Sequence, residues 1–351
     1  MEKTNHVEWV DAVRGAGILS VIVFHTGFLP YIQILNPLLA SWMLPMFMFT
    51  GGWLLKNETF TRQRLFSTMQ RLLIPFLISG IISFVGWIIL RNIYPQHVLE
   101  QPIGREINKW LTGRNAYFNS PLWFIPTYLF ASVFMQTIAV WWFRRKVLIK
   151  IFISIAIIIA GFLLSYPYRY PIFSYDLVVL FIGMIMMGSI ASTLHIPKFI
   201  LRTPFDLCIL ILFIIFSLSN GYIDMFQRQF NNEYIYIISA ILGTYSAARL
   251  LLYGIHNKNK IVHFASYLGK FSMSFMIWHW PIFQWLTYGL FTTGVLQQIT
   301  TTYTKTSFLI KIEGYQLVIL QSIFCCIYTV ISIFCIVMIK KVLKNIIKTN
   351  K

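Results

Sequence analysis

The chain has 351 residues, of which 57% are hydrophobic and only 11% charged, with 31 Phe, 18 Tyr and 11 Trp. That is too apolar for a water-soluble core of this length, so an integral membrane protein is expected. Its net charge of +18 is scattered over short segments between apolar stretches, the pattern of insertion topology and anionic lipid rather than of a nucleic-acid footprint, and no nucleic-acid partner is expected.

Spans of about 17 to 25 residues, the length that crosses a bilayer, fall at roughly 9–28, 37–55, 72–90, 122–143, 147–165, 175–194, 205–223, 233–253, 271–290 and 315–339. With the amino terminus in the cytosol, 20 Lys and Arg lie in inside loops and the tail, 8 lie outside, and Arg14 within the first span completes the 29. This asymmetry predicts an all-α polytopic bundle of about ten transmembrane helices with both termini cytosolic. A single domain over residues 1–351 is expected, with no appended soluble domain. The first span lacks a small-residue cleavage site and carries charge, so it should stay as a helix rather than leave as a signal peptide. Cys208, Cys325, Cys326 and Cys335 all sit in apolar spans without metal-ligand spacing, and no metal site is expected. The longest loops, 91–121 and 291–314, both lie outside on this topology.

The first span holds Asp11, Arg14 and His25, although a charge at the centre of a span costs about 2.5 to 3.5 kcal/mol. At about 100° per residue the three share one face within about 60°, which should look into a bundle or a wet cavity. Arg14 and His25 are about 16 Å apart along the axis, so they line one channel at two depths. Arg grips phosphate or carboxylate with a planar fork, and His is the most frequent general base. An anion held from the cytosolic side with a proton acceptor facing outward suits movement of an acyl group across a membrane. Asp11 and Arg14, at i and i+3, could instead only neutralise each other. In the second span Pro45, Phe47, Phe49, Gly51 and Gly52 allow close approach of a helix or ligand at the glycines. The fourth opens as Ser120, Pro121, Leu122, Trp123, Phe124, Ile125, Pro126, a rigid, partly unwound start whose aromatic faces suit a sugar ring or an interfacial belt. The ninth carries His279 two residues before Pro281, where the proline frees a backbone carbonyl that must face protein or water.

Together these residues resemble acyltransferase family 3, bacterial membrane proteins that O-acylate cell-surface and exported sugars. The family's opening pattern stands here as Asp11, Arg14, Gly15 and His25; its second-helix stretch as Pro45, Phe47, Phe49 and Gly52; its Leu-Trp-Phe element as Leu122 to Pro126; and its late element as Gly269, Ser272, His279 and Pro281. The resemblance implies that His25 activates the acceptor hydroxyl, with Arg14 and Asp11 completing the catalytic face. It implies that Arg14 helps hold an acyl-CoA donor, acetyl-CoA in the simplest case, entering from the cytosol. Many members carry Arg-x-x-Arg in the second cytosolic loop where this chain has Thr68 ahead of Arg71, and Arg62, Arg64 and Arg71 are expected to grip the CoA phosphates. Trp123 and His279 fall to the acceptor side. The implied acceptor is a cell-surface polysaccharide or its lipid-linked precursor, the implied location the bacterial cell membrane, and any later transfer step would need a glycan-synthesis partner. No bound cofactor is expected. Two other readings fit the same spans: a transporter or exporter of such a glycan without covalent chemistry, for which broken helices and buried charge are equally natural, and an inactive structural subunit of a synthesis complex.

Overall fold

The computed structural model describes residues 2–27, 31–91, 102–165, 171–196, 203–292 and 315–349. Arg169, Lys198, Arg202, Lys305, Lys311 and nearly all of the 291–314 loop lie outside them. Among the described residues the structure is helical, with no named strand and two isolated bridges, Ala116 with Asn119 and Asp224 with Gln229.

A helix occupies each of the ten expected segments. The first is α1, Glu2–His25, and the second is two short helices, α2 (Ile32–Ala40) and α3 (Pro45–Trp53). The expected single span over 37–55 breaks at 41–44 because Pro45 has no N–H to give to a preceding turn and sits where a helix starts. The third is α4, Arg62–Arg91, and a helix of the following loop, α5 (Ile103–Leu111), docks against it. The fourth opens with the 3-10 turn Ser120–Trp123, continues as α6 (Phe124–Thr137) and restarts as α7 (Ala139–Phe143). At that restart the Thr137 hydroxyl donates to the Phe134 carbonyl at 2.6 Å, competing with the helix ladder. Then come α8 (Val147–Ser165), α9 (Tyr175–Thr193), α10 (Thr203–Asn220), α11 (Glu233–His256), the short α12 (Lys260–Lys270), α13 (Ser272–Thr292) and α14 (Tyr315–Thr349).

Six segments are long and apolar enough to cross a membrane by length and composition alone: Ile32–Trp53, Arg62–Arg91, Val147–Ser165, Ile172–Thr193, Glu233–His256 and Gln321–Lys341. The chain is therefore a multi-pass membrane protein. Apolar character does not pick out α1 or α13, because these helices carry Asp11, Arg14 and His25, and His279, Pro281 and Gln284.

The surface is that of a lipid-facing bundle. On α4 the exposed residues Ile74, Leu77, Ile78, Ile81, Ile82, Val85 and Ile89 recur every three or four positions, while Thr68, Ser79, Gly80 and Ser83 turn inward. Lipid offers hydrocarbon no reason to hide, so association rests on small and polar residues between helices. Two glycine pairs show it. A Cβ on Gly15 would overlap the Ala265 carbonyl of α12, and one on Gly269 would overlap the Asp11 carbonyl of α1. A Cβ on Gly52 of α3 would likewise meet the Ile185 carbonyl of α9, and one on Gly188 that of Phe49. Through these contacts α1 sits at the centre, packed against α3, α11, α12, α13 and α14.

Candidate active site

The predicted face of α1 opens on a series of cavities. The largest, about 530 Å³, is lined by Arg14, Lys56, Arg64, Thr68, Arg71 and Gln136. Arg64 and Arg71 are two turns apart on α4 and so share a face. Next along α1 is a cavity of about 290 Å³, walled by Asp11, Arg14, Arg71, Tyr128, Lys270 and Met276. The third, about 60 Å³, is lined by His25, Trp123, Phe124, Asp224, Phe226 and Met276. Neighbours share walls: Arg14, Arg71 and Tyr128 belong to the first and second, Phe124 and Met276 to the second and third. The series runs from a group of four cations to an imidazole.

At the cationic end Arg14 Nε donates to Thr50 Oγ1 at 3.1 Å, and the Thr50 hydroxyl donates onward to the Phe47 carbonyl at 3.2 Å. Arg14 and Asp11 make no contact ion pair; both face the middle cavity with Lys270. Glu58 pairs with Arg64 at 3.2 Å and with Lys56 at 3.8 Å, all at least a quarter exposed, so these pairs contribute little to stability and leave the cations available to an anion. Thr68 exchanges hydrogen bonds with Gln136 at 3.2 and 3.3 Å. Where relatives are expected to place an arginine, this chain has a neutral link between α4 and α6. Arg62 is exposed at the start of α4 and is not part of the cavity lining. Lys56, which counted in the sequence only toward topology, is.

At the other end His25 and His279, 254 residues apart, meet: His25 Nδ1 lies 3.0 Å from His279 Nε2, with ring planes 13° apart. His279 Nδ1 lies 2.7 Å from the Phe275 carbonyl. A carbonyl only accepts, so Nδ1 of His279 carries its proton, and in the neutral ring Nε2 is then an acceptor. It follows that His25 donates from Nδ1, and that His25 Nε2 holds a free lone pair. His279 is fully buried, whereas His25 keeps part of its surface open.

The helix that carries His279 is held by the segment before the 3-10 turn. Pro281 has no N–H for the Ile277 carbonyl, and Asn119 Nδ2 supplies one at 2.9 Å, with a second bond to Ser83 Oγ at 2.9 Å. Trp280 Nε1 and Gln284 Nε2 both donate to the Tyr117 carbonyl, at 3.2 and 3.1 Å. The indole of Trp280 in turn meets the His25 ring edge to face, centroids 5.7 Å apart. The freed carbonyl expected from Pro281 therefore faces protein, and its partner makes the imidazole pair rigid.

Trp123 is buried beside His25, packed on Phe226 with centroids 5.4 Å apart. Phe226 belongs to the 221–232 loop, in which burial and the neighbouring Asp224 carboxylate push the Tyr222 phenol up from its ordinary value.

The family model of the acyltransferase domain of acyltransferase family 3 matches residues 7–338. This chain belongs to acyltransferase family 3. No curated protein and no solved structure matches it. It is thus a membrane acyltransferase, and all four sequence elements that resemble acyltransferase family 3 touch the cavity series. Arg14 and His25 mark its two ends, Phe47 lines its wall, Trp123 and Phe124 close the small chamber, and Gly269 and Ser272 line the middle one.

Proposed function

We propose that this acyltransferase carries an acyl group, acetyl in the simplest case, from a CoA thioester at the Arg14–Arg71 end to a sugar hydroxyl at the His25 end. The observation that carries this reading is the relay from the Phe275 carbonyl through His279 to His25, which leaves an unprotonated nitrogen in the wall of the small cavity. Arg64, Arg71 and Lys56 hold the phosphates of CoA, Arg14 holds the donor where the first two cavities join, and the acyl-bearing arm lies along the middle cavity. Nε2 of His25 takes the proton of the acceptor hydroxyl as its oxygen attacks the thioester carbonyl. The tetrahedral intermediate then expels the CoA thiolate, which receives the proton from His25, so an ester forms as the thioester breaks. His279, with both nitrogens engaged inside the protein, acts in this reading as a positioning residue that fixes the His25 tautomer, and Trp123 gives the acceptor ring a face to pack on. Asp11 balances Arg14 and Lys270 in the middle cavity.

In this proposal the chain is one domain that crosses a bacterial cell membrane ten times with both termini in the cytosol. That topology opens the cationic cavity to cytosolic acyl-CoA and the small cavity to a surface polysaccharide or its lipid-linked precursor. The family supports covalent transfer over carriage alone.

Arg71→Ala should raise KM for acetyl-CoA roughly tenfold or more with a much smaller change in kcat, since a hydrogen bond to a charged group contributes about 1.5 to 3 kcal/mol. Arg62→Ala should leave both unchanged. Steady-state transfer assays on the purified protein check this, and equal KM values for the Arg71 variant and the parent would move the donor site elsewhere.

A further inference from the structure

We propose that Asp224 selects the acceptor, admitting neutral and amino sugars to the small cavity and turning anionic sugars away. This rests on the reading that the His25 cavity receives the acceptor, and it names the chemistry of what enters.

Asp224 and His25 are the only ionisable side chains among the described residues that line this cavity. The nearest cation in sequence, Arg228, lies behind the Phe226 wall, where it bonds the Phe226 carbonyl, and is neutralised there: its Nε and a terminal nitrogen hold both oxygens of Asp176 at 2.8 and 2.9 Å, and the two side chains are each 1% exposed. A neutral imidazole and a carboxylate are therefore the ionisable groups that an arriving sugar meets, and beside the carboxylate a second negative charge is disfavoured while an ammonium group is drawn in. The aromatic faces of Trp123 and Phe226 supply packing to any pyranose, and their negative π surfaces favour a cation over an anion in the same direction as the carboxylate.

The carboxylate is also held in place. Asn36 pins the residue before it from both sides, accepting from Ile223 N–H at 2.7 Å and donating to the Ile223 carbonyl at 3.0 Å. Asp224 and Gln229 exchange backbone bonds at 2.9 Å, and Arg228 locks the far side of the loop to α9. Within the loop Gln227 donates one bond to each Asp224 oxygen, at 3.0 and 2.8 Å. A carboxylate has about four acceptor sites, so Asp224 retains capacity for two sugar hydroxyls or an amine. The loop thus presents a preorganised acceptor pair at the mouth of a chamber of about 60 Å³, room for one hydroxyl-bearing edge of a ring.

Binding reads this out without any turnover. Saturation-transfer NMR on the full chain in lipid nanodiscs, with methyl glucosaminide, methyl glucoside and methyl glucuronide as probes, should rank amine above neutral above acid, with the acid at least tenfold weaker than the amine. Asp224→Asn should bring the amine-to-acid ratio several-fold closer to one, and Asp224→Lys should invert it. His25→Ala should keep the parent's ranking, so that loss of acetyl transfer in that variant speaks to the catalytic reading and not to this one. The proposal is overturned if the acid binds as well as the amine in the parent protein, if the ratio survives Asp224→Asn, or if none of the three probes binds.

Discussion

His25→Ala should abolish acyl transfer, lowering kcat by about 10² to 10⁴, the range supplied by a positioned general base. The relay makes this loss specific. With the ring gone, the acceptor hydroxyl has no lone pair to take its proton, while Arg14, about 16 Å away along α1, and Arg64 and Arg71 of α4 still bind acyl-CoA with an unchanged KM or Kd. The variant should fold, because His25 is partly open and lies in the last turn of α1, so its loss leaves the closer helix contacts at Gly15 and Gly269 in place. His279→Ala should cost less, since it removes the group that sets the tautomer and leaves the base itself in place. Transfer of labelled acetyl to a sugar acceptor, with donor binding measured in parallel, separates the two. Full activity in the His25 variant would remove it from the mechanism.

Gly269→Ala should disrupt the protein more than any conservative change elsewhere in α12 or α13. The added methyl would overlap the Asp11 carbonyl and press on Gly15 N, and backbone in two packed helices cannot swing aside as a side chain can. Overpacking of this kind typically costs about 1 to 3 kcal/mol and sometimes more. Relief requires α1 and α12 to separate, which shifts Asp11 and Arg14 away from the Gly269, Lys270 and Ser272 wall of the middle cavity. A lower melting temperature in detergent and weakened acyl-CoA binding are expected together. Gly17→Ala meets the flexible end of Met46 and should be tolerated far better, and Gly104→Ala meets nothing and serves as the reference. Equal melting temperatures for the Gly269 and Gly104 variants would contradict the close helix contact.

Much of this site was legible along the chain because it is periodic. Asp11, Arg14 and His25 announce a buried polar face through charge at helical spacing, and Pro281 announces a carbonyl in need of a donor. Helix breaks were less visible: Pro45 could be read as a kink or a start, and the restart after Thr137 depends on a hydroxyl rotor. What the sequence does not carry is contact at long range. Nothing local says that His279 meets His25, that Asn119 serves the Pro281 carbonyl, or that Asp224 joins Trp123 in one chamber. Arg62 is the converse case, since a basic residue two positions from Arg64 is exposed at the start of α4 and does not line the cavity that Arg64 lines.

On the proposed mechanism the series of wall-sharing cavities brings a donor from one side of the membrane to an acceptor on the other. Proteoliposomes with the protein in a single orientation, labelled acetyl-CoA on the side of Lys56 and Arg64, and an amino-sugar acceptor only on the opposite side, test it most directly. Label should appear on the acceptor across the bilayer, and His25→Ala vesicles should show none. Labelling confined to acceptor placed on the same side as acetyl-CoA would contradict it.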